Sequence, residues 1–467
     1  MNINISLSSD KYINEVIEFQ DRISKTWHNK ISINVFIDEI YNPITLSLDY
    51  VHNIEKCQPI RNLQTSECHK FIQDYSKIID TNLFKSDLRL HSAILSSEEM
   101  VLKQAKLCYL IDSKTSSDDF LSFTFGGTNI IHSILYKFSN FKNVFTYRIH
   151  NAINLEPGLK ANRVWFSPNN EMKLCSTHPR FIHNMEYVNY KVDEIVDSLI
   201  NGIKRETLNK KFVSRRYPNT ILSFFSETLK LIFLFITFDK RYRKYFVRIK
   251  SLFNSFLIPL LYKDINSISK PYYLFALNVP TDSQILVRAP YFRDFISLIS
   301  LIADSIPYNH HLLIREHPSF PGMLKYQELK RLLRKKKNVI LVSHEDSFFD
   351  LVQSSKSVLI INNTSYLESI LLGKPVLALG KGPFTSQNIL HEIPCFEKLG
   401  QSFITYNSQT SLDQLKIFLN NWYLETFPVI DSNLTNNKSK INLTFGGIFD
   451  KISLHLSFYS KKHIDEL

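Results

Sequence analysis

Between Tyr272 and Gly380 short apolar runs alternate with longer amphipathic segments, and this alternation restricts the fold more than any other feature of the chain. Tyr272–Leu277, His311–Arg315, Val339–Val342, Ser357–Ile361 and Val376–Leu379 are short and almost wholly apolar. Between them, Tyr291–Ile306, Lys325–Lys337, Ser347–Ser354 and the stretch from Asn362 to about Leu372 space their apolar residues as helices do. Strands alternating with helices predict βαβ units and a parallel sheet covered on both faces. Ligands of such sheets sit beyond the C-terminal strand ends. His317, Ser343, Asn363, Thr364 and Gly380 all fall at those ends, so one crevice can collect them.

A second, separate βαβ pattern lies upstream. Phe120–Phe125 reads as a strand, Ile130–Phe138 as a helix and Val144–Ile149 as a strand. Further strands are expected at Ser32–Ile37 and, as a candidate, Leu107–Ile111, with a helix at Tyr12–Trp27 and a largely helical stretch from Leu83 to Leu110. Gly126 and Gly127 stand at a strand-to-helix junction, where absent side chains let the backbone approach an anion. A plain turn would look the same.

A chain of 467 residues exceeds one ordinary core. Four segments are expected: an N-terminal Rossmann-like domain (1–186), a helical basic and aromatic insertion (187–265), a C-terminal Rossmann-like domain (266–430), and a tail that folds back (431–467). In the insertion, basic Lys204–Arg216 precedes the apolar, aromatic run Ile221–Phe238, and Lys240–Lys244 with Arg248 precedes apolar Ser251–Tyr262. Aromatic residues beside cations suit a membrane interface; an insertion packed on the core with a solvated basic face is the alternative.

Composition excludes several classes. Only 11 glycines occur and no G-x-x-x-x-G-K-[ST] phosphate loop is present. The five cysteines form no C-x-x-C pair, which suits reduced thiols in a cytoplasmic protein; Cys57 and Cys68 read as incidental rather than as metal ligands. Met1–Asp10 lacks a signal-peptide pattern, and no apolar run reaches the roughly 18–20 residues that span a bilayer. The formal net charge of +12 can attract anionic substrates or lipid, but no nucleic-acid module accompanies it, so no nucleic-acid partner is expected.

Arg315-Glu316-His317-Pro318, then Asn362-Asn363-Thr364-Ser365-Tyr366-Leu367-Glu368, then Leu372-Gly373-Lys374-Pro375-Val376 resembles the bacterial capsule polysaccharide biosynthesis family. Leu277–Gln284 is similar to the start of that family's nucleotide domain. The resemblance covers the C-terminal half well and the N-terminal half in patches. It implies an α/β, GT-B-like fold, with two Rossmann-like domains facing across a cleft, and a glycosyltransferase activity. The favoured donor is CMP-Kdo (3-deoxy-manno-octulosonic acid), bound as a substrate with no cofactor and no metal. A UDP-sugar or CDP-glycerol donor, or a non-catalytic assembly or export role, remains open. The acceptor would be lipid-linked or an oligosaccharide, the inner-membrane surface and capsule export proteins would be partners, and the location cytoplasmic and peripheral to that membrane.

The site residues follow from chemistry and resemblance together. His317 can donate to a phosphate, and in the resembling families the His-Pro pair, here with Pro318, contacts CMP. Thr364 and Ser365 open a helix whose free N–H groups suit a phosphate; an ordinary N-cap reads the same. Glu368 can accept from ribose hydroxyls or complete a capping box with Ser365. Arg315 and Lys374 can neutralise carboxylates, or Arg315 can be a structural partner. Ser343, Asn363 and Gly380 complete the nucleotide set. Asn154–Leu159 and Trp165–Asn170 resemble the family's acidic loop, which implies Glu156 as acid or base, with Gly158 and Asn169 beside the acceptor. Pro157 and Ser167 depart from the pattern. Asp118 and Asp119 are the fallback acids, and Cys175–Pro179, with a second His-Pro pair, reads as a loop.

Overall fold

The computed structural model describes residues 253–428, apart from 281, 287, 319–321, 323 and 407, and elsewhere 2–7, 32–37, 72–79, 120–125, 130–142, 146–151, 163–168 and 192–201 with scattered positions in 101–112, 226–237 and 447–452. The chain divides into two compact units: Met1–Phe84 with Ser97–Val188 and Trp422–Leu467, and Lys85–Ser96 with Asn189–Asn421. Both are α/β, as expected, and among the described residues each holds a sheet of six strands.

In the first unit β1 (Asn2–Leu7), β2 (Ser32–Ile37), β3 (Phe120–Phe125) and β4 (Thr146–Asn151) are parallel, in the order β2-β1-β3-β4. Antiparallel β5 (Arg163–Pro168) extends the sheet, and β12 (Thr426–Pro428) closes it from far along the chain. Helix α1 (Ile130–Phe141) buries Ile134, Leu135 and Phe138 completely. The proposed strand at Leu107–Ile111 is instead helical in every described residue of that stretch. Its buried residues, Leu107, Cys108 and Ile111, recur at helical spacing, and their apolar character alone does not separate the two periods.

In the second unit all pairings are parallel: β6 (Tyr272–Ala276), β7 (His311–Arg315), β8 (Val339–Val342), β9 (Val358–Ile360), β10 (Val376–Ala378) and β11 (His391–Glu392). Their order is β11-β10-β9-β6-β7-β8. The chain therefore starts in the middle, winds outward through β7 and β8, and returns to wind outward the other way from β9. This is the doubly wound order, with its reversal between β6 and β9. This unit's helices include α2 (Phe295–Ser305), α3 (Tyr326–Lys335), α4 (Phe348–Ser354), α5 (Ser365–Leu371), α6 (Leu399–Thr405) and most of α7 (Leu412–Glu425).

Alternate strand residues explain the two covered faces. Tyr273, Phe275, Leu312, Ile314, Val339 and Leu341 share one core with Leu298, Ile302, Leu329, Leu332 and Phe403 of α2, α3 and α6. Tyr272 points the other way, where its hydroxyl donates to the Leu351 carbonyl of α4 at 2.8 Å. Burial on both faces is why these strands are apolar at consecutive positions instead of alternating. The helix expected over Tyr291–Ile306 is broken: a 3₁₀ turn at Pro290–Phe292 precedes α2, because Asp294 caps α2 by accepting from Ile296 and Ser297 N–H groups.

Candidate functional site

Strand order places the candidate crevice at the C-terminal ends of β6 and β9, where the winding reverses. Three asparagines organise it. Asn278, two residues beyond β6 and 4% exposed, donates from Nδ2 to Asn362 Oδ1 at 3.1 Å. Asn362 donates to the Gln284 carbonyl at 2.8 Å. Asn363 donates to the Ala276 carbonyl at 3.0 Å, and its Oδ1 accepts from the Ser365 hydroxyl. The Ala276 carbonyl at the end of β6 and the Gln284 carbonyl in the short helix Ser283–Leu286 thus each receive a side-chain amide. Asn363 and Ser365 are thus tied into the wall, while Thr364 between them is exposed.

At the ends of β7 and β8 a second polar network forms. Arg315 is half-buried and donates to the His344 carbonyl at 2.9 Å and the Asp346 carbonyl at 3.2 Å, with its guanidinium 5.7 Å from the Phe348 ring centre. It holds the loop that follows β8. Glu316 is fully buried and reaches forward along its own loop, accepting from Gly322 N–H at 3.3 Å and Leu324 N–H at 3.4 Å. Tyr262 bridges Glu316 Oε2, at 3.5 Å, and His344 Nδ1, at 3.0 Å. Burial and the Glu316 charge hold the Tyr262 phenol far above its usual range, so it stays protonated. Burial pushes His344 below the ordinary histidine value and Asp346 above the ordinary carboxylate value. Ser343 starts this loop: its N–H donates to Asp346 and its hydroxyl accepts from Glu345 N–H. His317 and Pro318, both half-buried, follow the Glu316 anchor directly.

Helix α5 begins with Thr364 as N-cap, but the Thr364 side chain makes no cap hydrogen bond. Ser365 is therefore inside the helix and Glu368 one position too far along for the proposed capping box. At the other end Gly373, with φ +67°, donates to Ile370 O, and Lys374 N–H donates to Ser369 O, which forms a Schellman stop. The Lys374 ammonium donates to the Ser355 carbonyl at 3.1 Å, so it braces α4. Gly380 lies where a Cβ would come within 3.0 Å of the Ile361 carbonyl oxygen, which lets the ends of β9 and β10 close together.

Glu156, Gly126, Gly127, Gly158, Asn169, Asp118, Asp119 and His178 lie outside the described residues. β3 ends immediately before Gly126, on the strand beside which the first sheet reverses its winding. Among the described residues no three His, Cys, Asp or Glu side chains are grouped to hold a metal ion. The sequence alone assigns no site role to Asn278, Asn362, Glu316, Tyr262 or His344. Glu316 carried a signal: a carboxylate next to an apolar strand needs buried partners.

Residues 261–392 match the model of the family described as capsule polysaccharide biosynthesis protein, and the match coincides with the crevice just described. The capsule polysaccharide export protein KpsS of Escherichia coli is 27% identical over 134 residues, which are 27% of this chain and 34% of that protein. Protein FixF of Sinorhizobium fredii (strain NBRC 101917 / NGR234) is 25% identical over 114 residues, 24% of this chain and 27% of that one. The matches thus span about a third or less of these relatives. Among solved structures, the beta Kdo 2,7 transferase of Thermosulfurimonas dismutans KpsC overlays at TM-score 0.32 and 15% identity, over 82% of this chain and 96% of that one. The UDP-GlcNAc 2-epimerase of Neisseria meningitidis overlays at 0.24 and 14%, over 97% and 99%. Overlays of that size carry no weight for the reaction.

Proposed function

Starting from the kinship of residues 261–392 with capsule polysaccharide biosynthesis proteins, we propose that this chain is a glycosyltransferase of capsular or surface polysaccharide synthesis. The observation that carries the reading is the reversal of strand order between β6 and β9, with His317, Ser343, Asn363, Thr364 and Gly380 at the surrounding strand ends. Such a crevice suits a nucleotide, and the family match falls on the same residues. The favoured donor is CMP-Kdo; a UDP-sugar or CDP-glycerol is the alternative.

In this reading His317 and Thr364 hold the phosphate and Glu368 accepts from ribose. The sugar's anomeric C–O bond to phosphate breaks, CMP leaves with the electron pair, and the acceptor oxygen forms the new bond. Glu156 takes the acceptor's proton, or serves in a retaining step. No metal is required when His317 and the Thr364 hydroxyl offset the leaving charge. The acceptor is lipid-linked or an oligosaccharide, and a lipid-linked one would bring the chain to the inner face of the membrane. A second reading, a non-catalytic assembly or export role, draws on the name of the KpsS relative.

Calorimetry with CMP, UDP and CDP, on the wild type and on His317→Ala, tests the proposal. CMP binding that the variant loses supports the CMP-sugar donor. A preference for UDP or CDP reassigns the donor. Folded protein that binds no nucleotide favours the non-catalytic role.

A further inference from the structure

An apolar helical stripe stands in solvent. Residues 226, 228–229, 232–233 and 235–236 are helical, and Leu229, Ile232, Phe233 and Ile236 follow the i, i+3, i+4, i+7 spacing of one face. Their exposures are 68%, 50%, 66% and 67%. A globular protein ordinarily buries such a stripe. A second apolar face, Phe253, Phe256 and Leu260, is also exposed, while Ile258 between them is fully buried in the core of the second unit.

The second face is anchored to the candidate crevice's own elements. Asn254 accepts from the first N–H of α3. At Gly322, with φ +79°, an added Cβ would lie 2.5 Å from the Ser255 backbone. Lys263 N–H donates to Leu341 O at the end of β8. Among the described residues, no helix is long and apolar enough to cross a membrane.

Charge decides what covers these faces. Between 204 and 250 the sequence has 13 Lys or Arg and 3 Asp or Glu. A tenth of the chain therefore carries nearly all of its +12 net charge, and the remainder is close to neutral. Nucleic acid would satisfy the cations but has no place for Leu229, Ile232 and Ile236. A neutral protein groove would take the apolar stripe but not the cations. A surface of apolar depth and anionic headgroups satisfies both.

We propose that the exposed apolar faces of Leu229, Ile232, Phe233 and Ile236 and of Phe253, Phe256 and Leu260 dock this chain on an anionic phospholipid bilayer, whose headgroups answer the excess of Lys and Arg that the sequence carries between 204 and 250. The docking deepens the membrane-surface reading above and is independent of which donor is bound, or whether one is.

The test is co-sedimentation of the full chain with phosphatidylcholine vesicles, with and without roughly 30% phosphatidylglycerol. Binding is expected to be about tenfold or more tighter to the anionic vesicles and to weaken as salt rises from about 0.1 to about 0.5 M. The double variant Phe233→Glu, Ile236→Glu is expected to lose it. Both side chains face solvent, so the variant's melting temperature should match the wild type's; Leu260→Glu on the anchored face gives a second, independent loss. Equal binding to neutral and anionic vesicles, or full binding by both variants, overturns the proposal. So does a wild type that ignores vesicles yet is dimeric, with the double variant monomeric: the stripe then joins two copies. Nucleotide calorimetry on the double variant separates the two questions, because loss of lipid binding with intact nucleotide binding leaves the crevice reading untouched.

Discussion

Removing the Glu316 carboxylate isolates what anchors the His317 loop. Glu316→Ala leaves the Gly322 and Leu324 N–H groups in a buried place without their acceptor, and Tyr262 keeps only His344. A buried donor left unsatisfied costs about 1–3 kcal/mol. The two N–H contacts, at 3.3 and 3.4 Å, are long, which puts each at the lower end, so the expected total is about 2–4 kcal/mol. Glu316→Gln keeps one acceptor oxygen but turns an amide donor toward the other N–H, and should cost about half as much. Urea unfolding of the full chain, followed with a probe in the second unit, measures both. A Glu316→Ala chain within about 0.5 kcal/mol of wild type would refute the anchoring role, since that is the range of an inert surface change.

Gly380→Ala should destabilise by about 1–2 kcal/mol and weaken any nucleotide binding, because its methyl meets the Ile361 carbonyl oxygen and side chain at 3.0–3.1 Å; unchanged unfolding and binding would show that these strand ends give way freely. The second unit should lose stability on mild acidification: burial lowers His311, His344 and His391, so the unfolded chain takes up protons first. The three contributions are complete above the ordinary histidine value of about 6.5 and lost as pH falls through the lower folded values. Asp346, raised by burial, acts in the opposite sense nearer the carboxylate range. A urea midpoint that rises between about pH 7.5 and about pH 5.5 would contradict this sign.

The strands of the second unit were legible because double-sided burial leaves a dense apolar run with polar punctuation. His311–Arg315 and Val339–Val342 coincide with β7 and β8, and helix ends followed the Ser347 cap and the Gly373 stop. The first unit was harder. β1, at Asn2–Leu7, is interior to its sheet and yet reads as polar, because Asn4 and Ser6 alternate with Ile3 and Ile5 over a short span. β5 is hard to tell from a loop because Ser167 and Pro168 end it, and β12 has only three residues. In the site, strand-end residues could be named from position, but which of them face a ligand and which hold the wall could not. Asn363 and Lys374 are committed to backbone carbonyls by partners 87 and 19 residues away, a relation that local pattern does not encode.

The late strand β12 sets a schedule for synthesis. It pairs Thr426, Phe427 and Pro428 with Trp165, Val164 and Arg163, so the outer edge of β5 waits for residues made after the entire second unit. During translation the first unit emerges first but cannot complete its sheet, and an open strand edge is a template for wrong partners. Fragments that stop short of residue 426 therefore expose β5, and such truncations should be recovered as aggregates more often than as smaller folded proteins.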